Sequence, residues 1–239
     1  MIRQTSRTFL NTIYNYFLFN VIKKRIFLNK KINIHVFGDS HGRMCFQGLD
    51  CINHSTNAIT MHRVGRDKLS LLNFSKNNVK NNDAVILIFG EIDCRCHIKK
   101  QILLNREYNA IISELVDEYI KAIEINVAKY KKLDIILCSI VPPTRQSDFE
   151  KINEPISHEF PFIGTDKERV KFTQDINELL KVKCTNNKYT FLDFHNDYCD
   201  KEGLLNFELS DQNVHIKENK KILDKLDTII IALNRSNIE

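Results

Sequence analysis

Val36-Phe37-Gly38-Asp39-Ser40-His41-Gly42 is the stretch on which the reading of this chain turns. It closes an apolar run, Ile32-Asn33-Ile34-His35-Val36-Phe37, that reads as a buried strand. The run stops abruptly in a glycine, an acid, a serine and a histidine. Open α/β sheets place their ligand crevice at the carboxyl ends of the strands. Ser40 is therefore expected in such a crevice. A serine there becomes a nucleophile only if other segments bring a base, an acid to orient that base, and donors to an oxyanion.

Working outward, apolar runs and amphipathic stretches alternate. Asp83-Ala84-Val85-Ile86-Leu87-Ile88-Phe89 and Asp134 to Val141 are continuous enough for strands covered on both faces. Tyr189 to Phe194 reads as the last strand, and Ala58-Ile59-Thr60-Met61 as a short strand candidate. Residues 41–52 suggest a short helix after Ser40. Between 106 and 132, Ile111, Ile112, Leu115, Val116, Tyr119, Ile123 and Val127 recur at helical spacing. Thr165 opens a further helix, with Glu168 placed to complete a capping box. Residues 217–234 form the closing helix. Residues 144–164 show no clean period and read as an excursion loop. The β-α alternation predicts one α/β domain: a three-layer α/β/α sandwich with a mostly parallel, flavodoxin-like sheet over 32–239.

Length and composition agree with that class. A chain of 239 residues, 43% hydrophobic and 27% charged, can bury a core without disulfides. Its seven cysteines are odd in number and scattered, which argues against a disulfide framework and for a cytoplasmic setting. Cys94-x-Cys96-His97 is half of a metal site, but no second Cys/His pair at zinc spacing accompanies it, so the thiols read as buried or loop residues. Neither a metal nor a cofactor is expected.

The net charge of +5 is uneven. Residues 1–31 hold seven of the 35 Lys/Arg and no acid, which leaves 28 basic against 30 acidic residues beyond them. The main domain thus lacks the electrostatic signature of a nucleic-acid binder. Residues 1–31 read as a basic amphipathic helix, too interrupted by Asn11, Thr12, Asn15 and Asn20 to span a bilayer. Two readings stay open: a helix packed on the domain, or one lying peripherally on an anionic membrane surface.

The polar residues at the strand ends carry the chemistry. The first strand ends in Asp39-Ser40-His41, and a later turn holds Gly65-Arg66-Asp67. The strand to Phe89 ends in Gly90-Glu91-Ile92-Asp93-Cys94-Arg95, and the last strand leads to Asp211 and His215. In order and in kind these segments resemble the blocks of the SGNH/GDSL hydrolases, and the similarity runs through residues 32–216. Gly38-Asp39-Ser40 matches the first block, Gly65 the second, Gly90-Glu91-Ile92-Asp93 the third, and Asp211 to His215 the last.

The resemblance implies an esterase or acyltransferase, with Ser40 as nucleophile, His215 as base and Asp211 as orienting acid. The N–H groups of Ser40 and Gly65 would face the oxyanion. Asp39, Arg66, Gly90, Glu91, Asp93 and Arg95 would contact substrate or support the site, Asp93 and Arg95 through an ion pair with each other or with Arg66. The substrate class it implies is a small acyl ester, including acetyl esters of glycans. Two departures stand out. Ile92 replaces the oxyanion-donating asparagine of the third block, with Arg95 or Arg66 as conceivable substitutes. Asp211 lies four residues before His215 where the family has three. A catalytically silent protein that binds a glycan or protein in the same cleft is the alternative these departures leave open.

Overall fold

Strands β1 (Ile34–Gly38) and β3 (Ala84–Ile88) are buried at every residue, as their unbroken apolar runs require. A computed structural model of the chain describes residues 32–153 and 160–235; the helix expected at 1–31 lies outside them. With β2 (Ile52–Asn53), β4 (Asp134–Cys138) and β5 (Thr190–Leu192) these strands form one sheet in the order β2-β1-β3-β4-β5. Every pairing is parallel, with Gly38 opposite Ile88 at the carboxyl end of the central pair. The strand order reverses between β1 and β3, which puts the ligand crevice of such a sheet where Asp39 and Gly90 begin.

Side chains alternate across the sheet. Phe37, Val85, Leu87, Ile135 and Leu137 share one core with helices α2 (Met61–Asp67), α4 (Tyr108–Val127) and α6 (Asp166–Asn187). The intervening Val36, Ile86 and Ile136 are fully buried on the other side of the sheet. In that layer α1 (Ser40–Cys45) ends in buried Cys45, followed by buried Phe46, and α7 (Lys220–Arg235) buries Ile222, Leu226 and Ile230 at four-residue steps. The architecture is the expected three-layer α/β/α sandwich. Among the described residues, no helix is long and apolar enough to cross a membrane.

Two local expectations are corrected, at the second strand and within 144–164. The second strand is at Ile52–Asn53, whereas Ala58 to Met61 leads into α2. Thr60 caps α2 by accepting the N–H of Arg63, and the Asp93 carboxylate, remote in sequence, takes the N–H of Met61 at 2.7 Å and of His62 at 3.3 Å. Those acceptors satisfy the first N–H groups of the helix and make its start favourable there. After Gly90 the chain turns at once into helix. A π-helical turn over Asp93–His97 runs into α3 (Ile98–Leu103), so Cys94 and Cys96 are buried helical residues. Within 144–164, Gln146–Ile152 is a short helix, α5. The capping box of α6 is present, Thr165 and Glu168 each bonding the other's backbone N–H.

Candidate active site

Ser40 is the first residue of α1, directly after the buried β1 and its glycine. A Cβ at Gly38 would lie 2.8 Å from the Ile88 side chain and carbonyl, so only glycine lets the strand end this close to β3. The turn is held by Asp39, whose carboxylate caps α1 by accepting the His41 N–H at 2.8 Å. Ser40 therefore presents its hydroxyl at the sheet edge, with its own N–H in the first turn of a helix, where N–H groups have no intrahelical partner.

His215 arrives from the other end of the chain. Its Nε2 stands 2.9 Å from Ser40 Oγ, and its Nδ1 stands 3.0 Å from Asp211 Oδ2. The longer spacing is absorbed by a tight loop. Asp211 donates its N–H to the His215 carbonyl at 2.9 Å, and Asp211 Oδ1 accepts the N–H of Asn213 at 2.9 Å and of His215 at 3.1 Å. Gln212 takes a left-handed backbone conformation with φ of 66° to close the turn. Burial by itself would raise the Asp211 carboxyl, but the hydrogen bonds from the His215 ring and the loop N–H groups hold it below its ordinary value.

The loop carrying His215 is held from outside at three consecutive carbonyls. Asn153 Nδ2 donates to the Gln212 carbonyl at 2.7 Å, Thr144 Oγ1 to Asn213 at 3.1 Å, and His41 Nε2 to Val214 at 3.0 Å. His41 had no assigned role in the sequence, where it is one of eight histidines. Its place next to Ser40 and two residues after an acid was the signal. Its Nδ1 lies 2.9 Å from Asp39 Oδ1, and the ring is buried.

The supporting residues separate into distinct roles. Glu91 and Arg95 form a buried ion pair at 3.2 Å, with Arg95 5.9 Å from the Phe162 ring. Glu91 borders the same small interior gap as Asp39 and His41. The expected pairing of Asp93 with Arg95 or Arg66 is not what forms: Asp93 caps α2 and faces His97 Nδ1 at 3.5 Å. Arg66 is a surface residue bonded to Asp67 at 2.6 Å. Both arginines that could replace the missing asparagine are thus committed to carboxylates. Gly90 has φ of 119°, and a Cβ there would lie 2.6 Å from Ile140 Cδ1. Ile92 is buried.

Gly65 is corrected from oxyanion donor to packing residue. It sits inside α2, and a Cβ there would lie 2.9 Å from Glu118 Cβ and 3.0 Å from the Glu118 backbone of α4. In mid-helix its N–H belongs to the helical ladder. Gly65 also borders a cavity of about 750 Å³ beside α2 and α4, together with Arg63, Asp93, His97 and Arg106. Neither Ser40 nor His215 lines that cavity.

No family model and no curated protein matches this chain. Solved structures do. A protein assigned as a platelet activating factor from Streptococcus pneumonia superposes with a TM-score of 0.55 at 15% identity, covering 94% of this chain and 97% of that one. A lipolytic protein of the G-D-S-L family from Desulfitobacterium hafniense has a TM-score of 0.52 at 11% identity, covering 82% and 98%. A GDSL-like lipase from Bacteroides thetaiotaomicron has a TM-score of 0.51 at 14% identity, covering 85% and 88%. At such identities the likeness is one of fold: this chain has the α/β fold of the GDSL lipolytic structures.

Proposed function

We propose that this chain is a serine-dependent ester hydrolase or acyl transferase. The observation that supports it is the unbroken line of hydrogen bonds from Ser40 Oγ through the His215 ring to Asp211. The fold shared with lipolytic proteins agrees with it. His215 Nε2 takes the Ser40 proton as Oγ attacks the acyl carbonyl, and returns it to the leaving alcohol. Asp211, held as a carboxylate, accepts from Nδ1–H and stabilises the imidazolium that forms. The Ser40 N–H faces the oxyanion.

Water as second acceptor yields an acid; a sugar hydroxyl yields a transferred ester. The acetyl ester of a glycan is the substrate to try first, on the strength of the sequence resemblance. Ile92 and the helical Gly65 remove two of the family's oxyanion donors. Each such donor contributes about 2.7–4 kcal/mol elsewhere, so turnover of simple esters is expected to be slow. The test is hydrolysis of short-chain aryl esters by the wild type and by Ser40→Ala, with fluorophosphonate labelling alongside. The wild type is expected to turn over and to label at Ser40. Equal rates in the two proteins remove the proposal.

A further inference from the structure

His41 is placed to do more than fill space. Both of its ring nitrogens meet acceptors: Nδ1 the Asp39 carboxylate at 2.9 Å, Nε2 the Val214 carbonyl at 3.0 Å. A carbonyl oxygen can only accept, and an ionised carboxylate can only accept, so both nitrogens must carry protons. A neutral imidazole has one N–H and would leave one contact repulsive. The two acceptors belong to the two halves of the Ser40/His215 pair. Asp39 precedes Ser40, and Val214 precedes His215.

We propose that His41 is a fixed imidazolium that acts as a positioning residue, clamping the segment that carries Ser40 to the loop that carries His215. The clamp itself rests on geometry; its kinetic consequence rests on the acyl-transfer reading. The charges around the ring agree with it. Asp39 faces it from the end of β1, and Glu91, itself paired with Arg95, from the start of the helix after β3. The His215 ring lies 4.9 Å away, centroid to centroid, and the neighbouring Cys45 thiol is kept neutral by burial. Burial alone would strip the His41 proton, but the Asp39 charge and hydrogen bond, with Glu91 and the Val214 carbonyl, more than offset it and push the group up to about 9.

The clamp is expected to release as pH rises past that value. Losing one N–H loosens the Ser40/His215 distance, and misplacement of about 1 Å costs on the order of 100-fold in rate. The experiment uses the full chain with nitrogen-15-labelled histidine. The His41 ring is expected to show two protonated nitrogens at pH 7 and to neutralise near pH 9. In parallel, the rate of fluorophosphonate labelling at Ser40 is followed from pH 6 to 10. The wild type is expected to show an alkaline fall centred near 9. His41→Gln keeps a donor for Val214 but never titrates. It should label about 10- to 100-fold more slowly at pH 7 and lack the alkaline fall.

An unprotonated ring nitrogen at pH 7 overturns the clamp, and so does an alkaline fall shared by both proteins. If the wild type fails to label at every pH while its His41 ring is doubly protonated, the acyl-transfer reading fails and the clamp stands.

Discussion

His215 Nε2 and Ser40 Oγ lie 2.9 Å apart although 175 residues separate them in sequence. The contact depends on a loop whose shape is set by backbone bonds within Asp211–His215 and by donors from three other segments. A hydrogen bond of this length between a hydroxyl and an imidazole is the geometry that proton transfer requires.

Asp211→Asn is the sharpest probe of the proposed Ser40–His215–Asp211 relay. Asparagine fits the same space but can offer Nδ1 an amide N–H in place of a carboxylate, which favours the wrong tautomer of His215. Labelling and ester turnover are expected to fall on the order of 10⁴-fold, with unfolding midpoints nearly unchanged. A change below tenfold would show that Asp211 serves only to shape the loop.

Gly65→Ala separates packing from chemistry. The added methyl would lie 2.9 Å from Glu118 Cβ and 3.0 Å from the Glu118 carbonyl carbon, well inside ordinary contact distance. Overpacking of this kind typically costs about 1–3 kcal/mol, partly offset by the better helix propensity of alanine. The urea midpoint should fall while the labelling rate per folded molecule holds. A large loss of labelling at unchanged stability would return Gly65 to the oxyanion hole.

Stability should depend on pH through His41. Its folded-state value, about 9, lies above the ordinary 6.5. The folded protein therefore holds that proton more tightly than the unfolded chain. The stabilisation is fully present below about pH 6.5 and disappears as pH rises through 9. The shift corresponds to about 3 kcal/mol. His97, raised to about 9 mainly through its hydrogen bond to Asp93, adds a smaller loss of the same sign. Urea unfolding at pH 6, 7.5 and 9.5 should show the decline in the wild type and a shallower one in His41→Gln. Parallel declines would mean that position 41 carries no extra proton in the folded state.

Much of the fold was legible because burial writes a local period into the chain. The runs at 34–38 and 84–88 could only be strands covered on both faces, and the spacing of Ile111, Leu115, Val116 and Tyr119 could only face a core as a helix. The second strand was misplaced because its two residues, Ile52 and Asn53, carry no pattern. The start of α2 escaped notice although its N-cap, Thr60, is local, because the further acceptor for its first N–H groups, Asp93, lies 32 residues from Met61.

The sequence by itself determined the alternation of strand and helix, the stop at Gly38-Asp39-Ser40, and the presence of a late Asp211/His215 pair. These are matters of local order and residue type. Only the tertiary structure decided that a four-residue spacing still lets Asp211 meet the His215 ring, through the left-handed turn at Gln212. It also placed Gly65 inside a helix and turned His41 from a histidine without an assigned role into one with acceptors on both nitrogens. The physical reason is common to all three. A hydrogen-bonding or packing role depends on which groups converge in space, and here the converging groups come from segments that no periodicity connects.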